Sequence, residues 1–395
     1  GHFGMAAGRD PEPGVPTVIT TMSTHKMLAA LSQASMIHIR QGRAPLPRSR
    51  FNEAFMLHTS TSPQYGIVAS LDVATRMMEG PAGRALVDDA VDEAVSFRQQ
   101  MTDVAARMAA DGTWWFSVFQ PSLRPSGSTS DAAVVAALRQ DTWQLDAGGS
   151  WHGFTGLLPG EAMLDPVKVT LVTPGLGPGG KPQDWGIPAS LVSAYLRSHG
   201  VVVEKTGYYS ILVLFSIAVT RGKSGTLLAE LFDFHRAYEA NMPVTEAMPE
   251  LAGFGSRYAG IGLKDLAGHM HAFLSGYDTA RMQEAISAEL PVPALTPAAA
   301  FAALVAGRTE QVSLDQLEGR VSAVTCLLYP PGIPVVVPGE RFDPGARPVV
   351  DYLRLFERWD GHFPGFENEV QGVVRERTAD GTVRFTVSCI KSARD

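Results

Sequence analysis

Ser23, Thr24, His25 and Lys26 stand side by side in the stretch TTMSTHKMLAALSQASMIHI, residues 20 to 39. Two hydroxyls and an imidazole are hydrogen-bonding groups suited to a phosphate. The mostly apolar run behind them predicts a helix, whose N-terminus would add backbone N–H groups and a favourable dipole. A lysine at the edge of an apolar helix commonly lays its stem on that surface and keeps its ammonium in water. Within reach of a bound phosphate and partly desolvated, the same amine can act as a nucleophile. A lysine that bonds to an aldehyde beside a phosphate clamp is the chemistry of pyridoxal phosphate.

The elements that must hold such a cluster belong to a chain of 395 residues, long enough for two or three domains with substantial cores. Charged residues make up 18%, below the usual quarter, so large surfaces are expected to be buried or covered by other subunits. A net charge of -7 argues against a nucleic-acid surface, which needs clustered Lys and Arg. The richest apolar run, YYSILVLFSIAV, has 12 residues and falls short of the roughly 18 to 20 of a membrane helix. Cys326 and Cys389 offer neither a disulfide framework nor metal-ligand spacing, so no metal is expected. GHFGMAAGRDPEPG lacks the charged-then-apolar pattern of a signal peptide, and a cytoplasmic location is the expectation.

Along the chain, HTSTSPQYGIVASLDVATRMMEG reads as a polar turn entering a helix, with Ser62 and Pro63 at its start. Helical spacing covers about 84 to 111 and stops at Gly112, a plausible C-cap. TWWFSVFQP predicts a strand and RPSGSTSDAAVV a surface loop. Strand patterns follow in VKVTLVTPG, VVVEKTG and YYSILVLFSIAV, with helix-like IPASLVSAYLRSHG between the first two. Strand, helix and strand at this spacing indicate an α/β or α+β domain. Helices dominate from about 240, and GVVRERTADGTVRFTVSCIK closes the chain as a hairpin.

Three motifs are set aside. RGKSGT contains the end of a phosphate-loop pattern, but Ile217 stands where its first glycine belongs, so a strand-to-helix turn is expected. GLGPGGKPQDWG carries Pro178 and Pro182, which remove donors that a phosphate cradle would use. His269 and His271 are two residues apart, point to different helix faces and have no third ligand nearby, so packing or surface roles are expected.

The segment STHKMLAALSQASMIH resembles the cofactor-attachment segment of the large, inducible bacterial ornithine, lysine and arginine decarboxylases. The likeness extends through RFNEAFMLHTSTSPQYGIVAS, WHGF, MLDPVKVTLVTPG, GIPASLVSAYL, VVVEKTG, LEGRVSAV, YPPGIP, PGERF and FPGFE, to about residue 391. It implies the C-terminal half of an aminotransferase-like (fold type I) α/β large domain over 1–78. A small α/β domain would follow over 79–238, then a mainly helical α+β C-terminal domain over 239–395.

The resemblance also implies roles. Lys26 would carry pyridoxal 5'-phosphate, Ser23 and His25 would contact its phosphate, and Thr24 would be a neighbour. Thr59 and Ser60 would reach a phosphate held by the partner subunit, because family active sites form across a dimer; a helix N-cap is the alternative. Glu204 would face the distal cation of the substrate, a fitting place for a carboxylate once that cation is desolvated; a strand-end surface Glu is the alternative. Family members have a long N-terminal portion, so on this resemblance the sequence would start inside the cofactor domain. The nearest acid, Asp10, does not match the aspartate that pairs with the cofactor ring, and the chain is not expected to be active alone. The implied reaction is decarboxylation of a basic amino acid, with lysine ahead of arginine and ornithine third. A dimer or ring of dimers is the implied assembly, and a non-catalytic relative that serves only in assembly is the alternative.

Overall fold

A computed structural model describes residues 14–108, 114–121, 123, 140–329, 332–378 and 381–391. The expected cap at Gly112, the loop RPSGSTSDAAVV and Asp10 lie outside them. The chain divides into two compact units, residues 1–95 with 215–221 and residues 96–214 with 222–395.

In the first unit, strand β1 (Val18–Met22) runs into helix α1 (Thr24–Met27), and the chain returns as strand β2 (Met36–Arg40). The strands pair antiparallel from Val18 opposite Arg40 to Met22 opposite Met36. The apolar helix expected behind Lys26 is therefore a single turn. Ala29 (φ 59°) and Gln33 (φ 77°) adopt left-handed backbone that a helix cannot pass through. What replaces the helix is tertiary packing: Ala30 and Ala34 bury against Ala74, with Ile67 and Leu71 alongside. Ile37 and Ile39 lie on a strand, where β-branched side chains are favoured. Helices α2 (Arg48–His58) and α3 (Tyr65–Met77) follow, and α4 (Gly80–Met108) runs on into the second unit. Leu57 and Tyr65 are 82% and 81% exposed, large apolar surfaces that single chains rarely leave to water in groups.

The second unit holds an antiparallel four-stranded sheet in the order β3 (Ser117–Phe119), β4 (Lys168–Val172), β6 (Ser210–Leu214), β5 (Lys205–Thr206). The strands within VVVEKTG and YYSILVLFSIAV are thus shorter than their apolar runs. Along β4, Val169 and Leu171 are fully buried while their neighbours are not, the period-2 pattern of a half-buried strand. Helix α5 (Ala189–Ser198) ends as the sequence predicts. Gly200 sits at φ 82° and its N–H reaches Arg197 O, while Val201 N–H reaches back to Leu196 O. This double closure satisfies the last carbonyls of the helix. RGKSGT opens helix α6 (Arg221–Glu239) rather than forming a separate turn.

Helices α7 (Leu263–Ser275) and α8 (Thr279–Ala288) lead into strands β7 (Thr309–Ser313), β8 (Cys326–Tyr329) and β9 (Ile333–Val336). Helix α9 (Arg347–His362) precedes β10 (Glu369–Gln371), β11 (Val373–Arg377) and β12 (Val383–Ile390). The expected hairpin is β11 with β12, from Val373 opposite Val387 to Arg377 opposite Val383. Strand β12 lies between β11 and β7, and β8 lies between β9 and β10. Val383, Phe385, Val387 and Cys389 of β12 join Val349, Leu353 and Phe356 of α9 in one core. Burial pushes the Cys326 and Cys389 thiols up to about 12, so both are inert packing groups.

Candidate functional site

Lys26 lies in the single turn α1, directly after β1. Its N–H bonds Ser23 O, and Leu28 N–H bonds Thr24 O, which closes the turn. The Lys26 side chain is exposed. His25 is tied at both ends: its backbone N–H and its Nδ1 both reach Ala34 O, at 3.2 and 2.8 Å. A carbonyl only accepts, so Nδ1 carries a proton. Thr24 is 2% exposed, and its Oγ1 has no hydrogen-bond partner among the described residues. Buried hydroxyls are nearly always satisfied, so this one is available to a further group. Ser23 precedes the turn and makes no capping bond. The hydroxyls and amine of Ser23, Thr24 and Lys26 are thus gathered at one turn, without side-chain partners among the described residues.

Thr59 and Ser60 do not cap the following helix. Thr59 ends α2 and its Oγ1 donates to Phe55 O at 3.0 Å. Ser60 Oγ accepts the Ser62 N–H at 3.1 Å, and Gln64 is the residue that precedes α3. Both are exposed. Their side-chain bonds are local, which removes the N-cap alternative.

Glu204 lies in the second unit, immediately before β5, with its backbone N–H on Leu212 O. Its side chain is exposed and lines a cleft of about 300 Å³. Tyr208 also lines the cleft; burial raises its phenol well above the ordinary value, so it stays neutral.

His271 has a packing role. Burial keeps the Tyr209 phenol protonated, and it donates to His271 Nδ1 at 2.7 Å. His271 Nε2–H then donates to Gln183 O at 2.9 Å, while Gln183 Oε1 accepts the Gly175 N–H. The pair clamps the loop GLGPGGKPQDWG. Gly175 has φ 141°, and a Cβ there would come within 2.0 Å of the Tyr209 ring. His269 is exposed, and no group of metal-ligating residues occurs among the described residues.

The family model for the Orn/Lys/Arg decarboxylase major domain matches residues 1–223, and that for the C-terminal domain of the same enzymes matches 279–391. The chain belongs to the Orn/Lys/Arg decarboxylase family. It is 46% identical over 393 residues to lysine decarboxylase LdcA of Pseudomonas aeruginosa, covering 99% of this chain and 51% of that protein. It is 43% identical over 400 residues to the biodegradative arginine decarboxylase of Escherichia coli, covering 99% and 52%. Solved lysine decarboxylase A from Pseudomonas aeruginosa superposes with a TM-score of 0.87 at 46% identity, covering 97% and 50%. The chain thus spans about half the length of the relatives it matches. Orn/Lys/Arg decarboxylases are pyridoxal phosphate enzymes. The residues of α1 fit that group: Lys26 offers an exposed amine for the aldehyde, and the hydroxyls of Ser23 and Thr24 are donors for the phosphate.

Proposed function

We propose that the full-length protein removes carbon dioxide from a basic amino acid, lysine first, arginine close behind and ornithine third. The observation that carries this is the conjunction at α1 of Lys26 with a buried hydroxyl that is unpaired among the described residues. Pyridoxal phosphate, when bound, supplies an aldehyde for amines and a ring able to take up the electron pair left by the departing carboxylate. Lys26 Nζ would be the amine that holds the group, and it would be free to displace the product amine at the end of the reaction. Ser23 Oγ and His25 would hold the phosphate, with Thr24 Oγ1 the further donor. The bond from His25 Nδ1 to Ala34 O fixes the ring so that Nε2 is presented in one orientation. Thr59 and Ser60 would reach the phosphate of a partner subunit, which fits their exposure beside the apolar surface of α2 and α3. Glu204 would pair with the distal ammonium or guanidinium.

Three relatives support the ranking only coarsely, since lysine, arginine and ornithine enzymes all match. One extra methylene shifts specificity by only about 1–3 kcal/mol in an apolar pocket. The deciding assay is carbon dioxide release by the full-length cytoplasmic enzyme on all three amino acids, compared as kcat/KM. Release from lysine at the highest kcat/KM is expected; no release from any of them overturns the proposal. Sedimentation is expected to show a dimer or a ring of dimers, and a fully active monomer would remove the shared-site role of Thr59 and Ser60.

A further inference from the structure

The cleft beside Glu204 is completed by residues from much later in the chain. Glu369 on β10 stands opposite Tyr329 on β8 in the antiparallel register, so a carboxylate and an aromatic ring are fixed side by side. Both line the cleft with Glu204, Tyr208, Asn368 and Trp359. A third carboxylate at the rim, Glu367, is already committed: it accepts the Gly365 N–H at 2.9 Å and pairs with Arg377 at 3.5 Å. Glu204 and Glu369 make no ion pair among the described residues. The ammonium of Lys205 lies 6.0 Å over the Tyr329 ring, which shows that this wall accepts a cation. Deeper in, the Tyr208 hydroxyl is buried beside Tyr352 without a hydrogen bond of good geometry, and Tyr352 receives one from Gln283.

Two carboxylates without an ion pair among the described residues and a buried hydroxyl in about 300 Å³ suit the end of a flexible chain that bears a cation. We infer that Glu369 is a specificity determinant, sharing the distal cation of the substrate with Glu204. The inference rests on the reading of Glu204 given above. It assigns a second specificity role to the C-terminal sheet, which a match to the major domain alone would not reach.

The test uses full-length holoenzyme with Glu369→Gln, lysine as substrate, and norleucine, which lacks the distal amine, as an inhibitor. Loss of one charge-assisted bond predicts about a tenfold rise in the lysine KM, with kcat within about twofold. The norleucine inhibition constant stays unchanged, and Glu369→Asp recovers part of the lysine KM. A lysine KM that moves less than about twofold overturns the inference, as does an equal shift for norleucine, which would mark a merely structural role. Glu204→Gln run alongside separates the two claims. If it too leaves the lysine KM unchanged, the Glu204 reading itself falls; if it raises KM while Glu369→Gln does not, only Glu369 is misassigned.

Discussion

Arg98 offers a demanding stability test, because it is a fully buried guanidinium whose strong partners are carbonyls rather than carboxylates. From α4 its Nε donates to Pro166 O at 3.1 Å, one terminal nitrogen to Phe119 O at 3.1 Å, and the other to Lys168 O at 2.9 Å. The group also stacks 5.1 Å from the Trp143 ring. One side chain therefore ties α4 to β3 and β4. Burial pulls its pKa down to about 10, which still leaves it charged at neutral pH. Arg98→Met keeps the stem volume and removes every donor. Three bonds from a charged group are worth roughly 1.5–3 kcal/mol each, or about 4–9 in total. Relief of the charge's own desolvation returns part of that, so a net loss of about 4 kcal/mol is expected. Denaturant unfolding of the full-length protein, followed by tryptophan fluorescence, should show the midpoint falling with the slope unchanged. Arg98→Lys, which cannot span three carbonyls, should fall between. A loss below about 1 kcal/mol in Arg98→Met would refute the reasoning, since three carbonyls cannot be orphaned so cheaply.

Two further tests address other buried groups. Burial pushes the Asp360 carboxyl up to about 6 from 3.8, opposed by the Asn368 N–H and by Arg375 at 2.7 Å. The folded state then holds the proton more tightly than the unfolded chain, so this group's contribution is greatest below about pH 4. It fades as pH rises to about 6, by up to about 3 kcal/mol. Asp360→Asn should flatten that part of the stability profile, and an unchanged slope would count against the burial argument. Tyr209→Phe leaves His271 Nδ1 buried without its donor and should cost about 1–3 kcal/mol in thermal or denaturant unfolding, whereas a neutral result would mean that the clamp carries no load.

The chemistry of the first site was legible because its residues are consecutive: Ser23 to Lys26 need no long-range folding to come together. Their local setting was not. The apolar content of MLAALSQASMIHI favours a helix, and the turn at Ala29 and Gln33 arises from packing of Ala30 and Ala34 on Ala74, forty residues on. Gly200 could be read as a helix stop because its conformation is set by its own backbone freedom. The hairpin near the C-terminus was equally legible, from alternation on both sides of a turn. Arg98 and Glu369 were invisible for the opposite reason. Arg98 lies in a helix rich in charged residues, and its carbonyl partners lie up to 70 residues away. Glu369 gains its setting from the pairing of β10 with β8, which no spacing along the chain reveals. His271 packs against Tyr209, a partner 62 residues away that no spacing along the chain names.

Lys26 is expected to carry the cofactor. Full-length protein loaded with pyridoxal phosphate and reduced with borohydride should yield one labelled peptide, the one containing Lys26, on mass mapping. Lys26→Ala should lose both the label and the visible absorbance of the bound cofactor. A label found reproducibly on any other lysine, with Lys26 unmodified, would contradict the account.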